Sequence, residues 1–239
     1  MKKILLLTLA FSITSYAQVQ ETLNKLPQLS SKLSGLGRVD IASGLKEALD
    51  KGIAKQVTKL TATDGFYKNE AVKILMPEEL QKVDATLRKF GLGSLADEGI
   101  KVLNRAAEDA VKEATPIFVS AVKNMSINDA KSILLGNENA ATTYLESSTT
   151  TSLYSKFNPV IKESFSKVGA DEIWSNIITK YNSLPLVKKV NTDLTDYTTK
   201  QALAGVFKMI AVEEKTIRTD INARTSPLLK KVFAMQDKK

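Results

Sequence analysis

Apolar residues recur at three- and four-residue spacing through most of the chain, the repeat of helices that bury one face. The clearest face reads Ile41, Leu45, Ala48, Leu49, Ile53, Val57 and Leu60, with Asp40 placed to cap its start. Before it, residues 19–33 are amphipathic but interrupted by Pro27, and Gly35-Leu36-Gly37 reads as a loop. Asp64-Gly65 predicts a turn, and the alternation of Val72, Ile74 and Met76 predicts one short extended segment near residues 72–76.

Pro77 suits the first position of a helix, with Glu78 and Glu79 at its positive end. That helix carries Leu80, Val83 and Leu87 and stops near Gly91-Leu92-Gly93. Residues 94–124 form the longest run, broken by Pro116 into two helices or one kinked one. Ser126 and Asp129 resemble a capping box, opening a short helix that Gly136 ends. A run over 138–168 is expected to divide near Asn158-Pro159, and 171–181 follow as a further helix. Leu184-Pro185-Leu186 connects to a long helix from about Asp193 to Arg218, and Ser226-Pro227 opens a last one through Met235. Linkers, repeats and low-complexity tracts are absent from the sequence. The expectation is all-α, a single multi-helix domain over residues 18–239. Gly44, Ala48 and Gly52 make a smooth stripe for close helix contact, as do Ala106, Ala110 and Ala114.

The first residues change the compartment. Met1-Lys2-Lys3 is a basic start, residues 4–13 are mostly apolar, and Ser15 and Ala17 are the small residues a signal peptidase reads. Residues 1–17 therefore predict a signal peptide cleaved after Ala17, and export to a periplasm. The stretch is shorter than the roughly 20 residues of a membrane span, and no later segment of the mature chain is apolar enough for one.

Charge adds little. The chain has 34 Lys+Arg and 26 Asp+Glu, a net of +8 that falls to +6 without Lys2 and Lys3. The excess is scattered and only five residues are Arg, unlike the dense basic stripe of a nucleic-acid binder. The missing residue types decide more. With no Cys and no His, thiolate and imidazole metal sites, disulfides, cysteine nucleophiles and the usual Ser-His pair are excluded, and no metal or cofactor is expected.

The remaining motifs are weak. Gly91-x-Gly93-x-x-Ala96 has dinucleotide-binding spacing but follows a helical pattern where the mechanism needs a strand. Ser-x-x-Lys occurs at Ser43/Lys46, Ser120/Lys123 and Ser164/Lys167, about as often as 19 Ser and 29 Lys produce by chance. Adjacent carboxylates such as Glu213/Glu214 diverge by about 100° on a helix and do not face one substrate. No catalytic residue is assigned.

One polar group stands out: Asn104, Arg105 and Glu108, with Glu214, Arg218 and Arg224. Glu214 and Arg218 have the favourable i,i+4 order, and Arg105 and Glu108 sit in an Ala-rich, close-packing segment. Two readings are open: a structural ion network locking helices together, or a pocket for an anion or polar headgroup centred on Arg105, Arg218 and Arg224. The last helix carries Leu228, Leu229, Val232 and Phe233 beside Lys230 and Lys231, a candidate membrane or partner surface whose plainer reading is core docking.

Several of these pieces carry a resemblance. They are Asp64-Gly65-Phe66, Leu103-Asn104-Arg105-Ala106-Ala107-Glu108, Ala140-Ala141-Thr142-Thr143-Tyr144, and Ala202-Leu203-Ala204-Gly205-Val206-Phe207. Glu213-Glu214-Lys215-Thr216-Ile217-Arg218, Ala223-Arg224-Thr225 and Leu228-Leu229-Lys230-Lys231-Val232-Phe233 complete them. In this order the chain resembles the domain of unknown function 4197 (DUF4197) family of bacterial exported proteins. The resemblance implies a helical exported protein and no particular activity; Ala204 stands where the family pattern leads one to expect an acidic residue.

The expectation is thus an exported, non-catalytic helical protein that binds a lipid-like or anionic ligand, or an envelope protein, in a groove beside the arginines. The alternative is a structural or assembly protein whose ion network is purely internal. A hydrolase built on carboxylates or a Ser/Lys pair stands third.

Overall fold

The computed structural model describes residues 37–89, 91, 93–170, 174, 175, 179, 182, 189, 193–234 and 237. Among the described residues there are eight α-helices and no strand. They are α1 (Arg38–Thr61), α2 (Gln81–Lys89), α3 (Gly93–Val111), α4 (Ala114–Asn124), α5 (Ile127–Leu135), α6 (Ala140–Lys167), α7 (Leu194–Thr219) and α8 (Pro227–Phe233). Single 3-10 turns precede α2 at Glu78–Leu80 and follow α7 at Ile221–Ala223. The expected signal peptide and the amphipathic residues 19–33 lie outside the described residues, as do most of 171–181 and the Leu184-Pro185-Leu186 connection.

The elements follow local chemistry with three corrections. On α1 every residue of the expected apolar face is buried, but the helix starts at Arg38, so Asp40 lies in its first turn and Gly37 is the cap. There the Asp40 carboxylate still faces the positive end of the helix and meets Lys231 at 3.2 Å. Pro77 likewise precedes its helix as the cap of the 3-10 turn. The largest departure is Pro159, which α6 carries in its interior without a break. The proline is on the exposed side, where the carbonyl it leaves unpaired is open to solvent, while Phe157 and Ile161 beside it are fully buried and hold the helix on course.

Elsewhere the punctuation acts as read. The run over 94–124 is two helices, broken at Lys112 and Glu113 so that Pro116 falls in the first turn of α4. Ser126 and Asp129 form the reciprocal capping box of α5, and Gly136 caps its end. Asp193 caps α7, and Ser226 with Pro227 opens α8. The segment near 72–76 forms no strand, yet its alternation is real: Val72, Ile74 and Met76 are buried while Leu75 is exposed.

Buried side chains from all along this series join one continuous apolar core. At its centre α6 and α7 lie along each other; α3 packs on both, and α1 packs on α7 and also meets α4, α5 and α8. Phe118 of α4 meets Phe207 of α7 edge-on at 6.0 Å, an arrangement that matches ring edge to ring face. The glycine stripe of α1 does face neighbours: a Cβ at Gly44 would lie 2.6 Å from Val232, and one at Gly52 would lie 3.2 Å from Glu213. Gly99 makes room for Trp174 in the same way.

Gly65 is a sharper case. Asp64 turns the chain with φ 68°, and a Cβ on Gly65 would sit 2.6 Å from the Leu60 carbonyl oxygen, with the Lys59 carbonyl oxygen nearer still. Both obstacles are backbone and cannot rotate away. Gly65→Ala is expected to destabilise the fold by about 2–3 kcal/mol, the range of overpacked sites. Gly91→Ala, at φ 75° with nothing near its Cβ, should cost only about 1 kcal/mol. Urea unfolding with unchanged m-values measures both.

Candidate functional site

The six candidate polar residues do not form one cluster. They build three networks, and each ties a piece of backbone to a helix.

The first lies on α3. Asn104 is fully buried, donating from Nδ2 to the Ile74 carbonyl at 2.8 Å and accepting from the Ile74 N–H at 2.8 Å. Its amide thus makes the paired bonds a neighbouring strand would offer, and so holds the extended segment without a sheet. One turn on, Glu108 Oε1 accepts from the backbone N–H groups of Phe66 and Tyr67 at 3.0 and 3.3 Å. Its other oxygen accepts from Arg105 Nη1 at 2.6 Å, and Arg105 Nη2 donates to Asp64. The sharp Asp64-Gly65 turn aims successive N–H groups into a small anion-holding concavity, and the protein's own carboxylate fills it. Lys68 first, then Arg105, holds the Asp64 carboxyl below its ordinary range. Arg105 is one cation between two carboxylates, a poor centre for a further anion.

The second lies on α7. Glu214 accepts from the N–H groups of Ala141 and Thr142 at 2.9 and 2.8 Å, and from the Thr142 hydroxyl at 2.8 Å. It therefore caps α6, whose own Asn139 gives no side-chain cap. Arg218 donates from Nε and Nη2 to the same carboxylate at 3.0 and 2.8 Å, and from Nη2 to the Ile133 carbonyl at 2.9 Å at the end of α5. Acid meets the positive end of one helix and base the negative end of another. Both side chains are buried, at 5% and 6% exposure.

The third uses Arg224, 1% exposed. Its Nε and Nη2 donate to the carbonyls of Ile217 and Arg218 at the end of α7, both at 3.0 Å. It also grips Asp237 with two bonds of 2.8 and 2.6 Å and lies 5.9 Å from the Phe233 ring centre. The sequence alone did not point to Thr142, Asp237 or the carbonyls that complete these networks. Only the Asp-Gly turn signal at Asp64 was available.

Glu213 and Glu214 diverge as adjacent helical residues must. Glu213 accepts from Lys55 at 2.6 Å and Gln56 at 2.7 Å, away from the Glu214 network. On α8, Leu229, Val232 and Phe233 are core, packed toward α1, so they are not surface as the partner reading required. Leu228 is half-buried, and Lys230 and Lys231 remain exposed. Gly91 and Gly93 join α2 to α3, a helix connection. Of the Ser/Lys pairs, Lys46 donates to the Lys123 carbonyl at 2.9 Å, and Glu163 raises the Lys167 ammonium above its ordinary range, the reverse of what a lysine base needs. No group of three or more metal-ligating side chains is found among the described residues.

Three open spaces bear on these residues and their neighbours. Beside Glu214 and Arg218, between α1 and α7, is an apolar cavity of about 20 Å³, enough for about one water molecule. A groove of about 270 Å³ between α3 and α6 is bordered by Lys101, Arg105, Asp109 and Lys167. A larger groove, about 600 Å³, runs between α4 and α6.

The architecture is that of an all-α bundle in which buried charges close helix ends. The chain belongs to the family described as Protein of unknown function (DUF4197), whose model matches residues 35–234. No curated protein and no solved structure matches it. No described helix is long and apolar enough to cross a membrane.

The α7 pair makes a double test. Glu214→Leu and Arg218→Met singly should each cost about 3–5 kcal/mol, by stranding a buried charge. In many proteins the double replacement recovers that loss. Here it should not, because the Ala141 and Thr142 N–H groups stay unpaired; denaturant unfolding of all three variants decides.

Acid should loosen the first network. A carboxyl held below its ordinary range binds fewer protons folded than unfolded, so its stabilisation is complete above about pH 5 and lost as pH falls through the folded value. Asp64 follows this sign, as does Asp196, held low by Lys200 and then Tyr154. Asp50, raised by burial, opposes it. Asp64→Asn should lower stability at neutral pH and flatten the fall below about pH 4, read from unfolding midpoints across pH.

Proposed function

We propose that this chain is an exported, non-catalytic binding protein whose buried ion networks serve the fold and whose ligand sits in a surface groove between helices. The observation that carries the proposal is the contrast between its charges and its cavities. Arg218 and Arg224 are engaged by carboxylates and helix carbonyls, and the cavity beside Arg218 is of water size. An anionic or lipid-like ligand there would have to displace buried hydrogen bonds, a cost of several kcal/mol. The groove between α4 and α6 is open, and its volume falls in the range of small-molecule sites. The internal-network half of the assembly reading is thereby kept, and the binding function moves away from the arginines.

Export is supported by the basic start, the apolar stretch and the Ser15/Ala17 spacing. Expression of the whole chain in a bacterial host tests both halves. Intact mass should show a periplasmic chain beginning at Gln18, and native mass spectrometry of that chain should show a retained small-molecule adduct. A cytosolic chain keeping Met1 overturns export, and a ligand-free spectrum from every growth condition overturns binding.

A further inference from the structure

Helix α6 is built unlike the others. Nine of the fourteen residues from Thr142 to Ser155 are Ser or Thr, and Glu146 is the only charged residue between Glu138 and Lys156. Ser and Thr are poorer helix formers than the Lys, Glu and Ala found on solvent faces, because their hydroxyls compete for backbone bonds. Thr143, Ser147, Ser148, Thr150, Thr151, Ser152 and Ser155 are nevertheless exposed. A neutral hydroxyl face on an exposed helix calls for a reason beyond solvation.

The groove between α4 and α6 supplies one. Ser148 and Ser152 stand on one wall, Ser120 and Asn124 on the other, with Ile117 and Ala121 giving apolar surface between them. Ser148 Oγ donates back to the Tyr144 carbonyl at 2.8 Å, which leaves its lone pairs as acceptors. Tyr144 lines the groove, and burial, aided by Asp129, raises its phenol above the ordinary value. Glu113 and Lys156 also line the groove. Neither has an ion-pair partner among the described residues. From residue 113 to residue 124 the groove extends about 17 Å at 1.5 Å per residue, the length of a short oligosaccharide.

We infer that this groove is a saccharide site that takes a short N-acetylated glycan. A pyranose ring presents hydroxyl donors and acceptors on its rim and apolar C–H faces, which suit a hydroxyl wall, an aromatic ring and an apolar floor. The acetyl methyl groups suit Ile117 and Ala121, and Glu113 and Lys156 supply charged hydrogen bonds. Anionic headgroups fit poorly, because Lys156 is the only cation among the described residues that line the groove, and Glu113 opposes it.

The inference rests on the binding function proposed above and deepens it. The mature chain is titrated, with backbone amide NMR as readout, against triacetylchitotriose, cellotriose, a short neutral peptide and phosphatidylglycerol micelles; pelleting with purified peptidoglycan separates a polymer source from a free sugar. Saturable shifts confined to the groove with triacetylchitotriose are expected. Ser152→Leu and Asn124→Ala, both exposed positions, should weaken the affinity about tenfold, the loss one or two unmade hydrogen bonds produce. Ser155→Leu, on the same helix outside the groove, should leave it unchanged, and circular dichroism reports that each variant folds. Sugar binding unaffected by Ser152→Leu overturns the site. Groove shifts with peptide or micelles but no sugar overturn the ligand class while the binding function stands. Silence from all four probes removes both.

Discussion

Glu214 and Arg218 determine how the middle of the molecule is joined. One turn apart on α7, they meet the end of α5 and the start of α6, where the two peptide dipoles present opposite charges across the short 136–139 connection. Asn139 gives the start of α6 no side-chain cap there. A buried carboxylate alone at this place would be costly, and so would a buried guanidinium. Together, with three hydrogen bonds to the start of α6 and contacts to the last carbonyls of α5, they satisfy groups that would otherwise be stranded. The relative placement of α5, α6 and α7 follows, and with it the wall that α6 offers to α4.

The same device recurs with different partners. Glu108 holds the N–H groups of Phe66 and Tyr67, Asn104 holds both backbone groups of Ile74, and Arg224 takes the last carbonyls of α7. In each case the long-range partner of a buried polar side chain includes backbone that no regular element pairs. A bundle with an irregular stretch from Ala62 to Pro77 must close those groups somehow, because unpaired buried amides cost about 1–3 kcal/mol each. This explains why strongly polar residues lie in the otherwise apolar segments of α3 and α7. It also explains why they are ill suited to a ligand: their bonding capacity is largely taken.

The helices were legible in the sequence because apolar periodicity and end signals are local. The α1 face, the Ser126/Asp129 box, the break ahead of Pro116 and the core face of α8 could all be read within a few residues. Pro159 misled because its cost depends on what packs beside it, and the flanking Phe157 and Ile161 are anchored by distant helices. The polar residues were found but joined wrongly. Spacing shows that Glu214 can reach Arg218, yet nothing in the spacing shows that both reach the connection between α5 and α6, or that Arg105 turns instead toward Asp64. The groove escaped notice for a related reason: its walls come from two helices, and a search for apolar stripes passes over a hydroxyl face.

That face is intelligible only beside the networks. An isolated helix with the α6 sequence would be weak, since it lacks its own cap, carries many hydroxyl side chains and has a proline in its interior. In the bundle Glu214 closes its start, and Leu145, Leu153, Phe157, Ile161 and Phe165 anchor its buried side against the core. Tertiary contacts thus supply the stability that intrinsic propensity does not, which frees the outer side of α6 from the need for helix-favouring charged residues. A surface relieved of that need can be shaped for recognition. The rigid core side keeps Ser148 and Ser152 at fixed positions along the groove, so that hydroxyls on a helix, ordinarily too adaptable to specify a ligand, are presented in a set order.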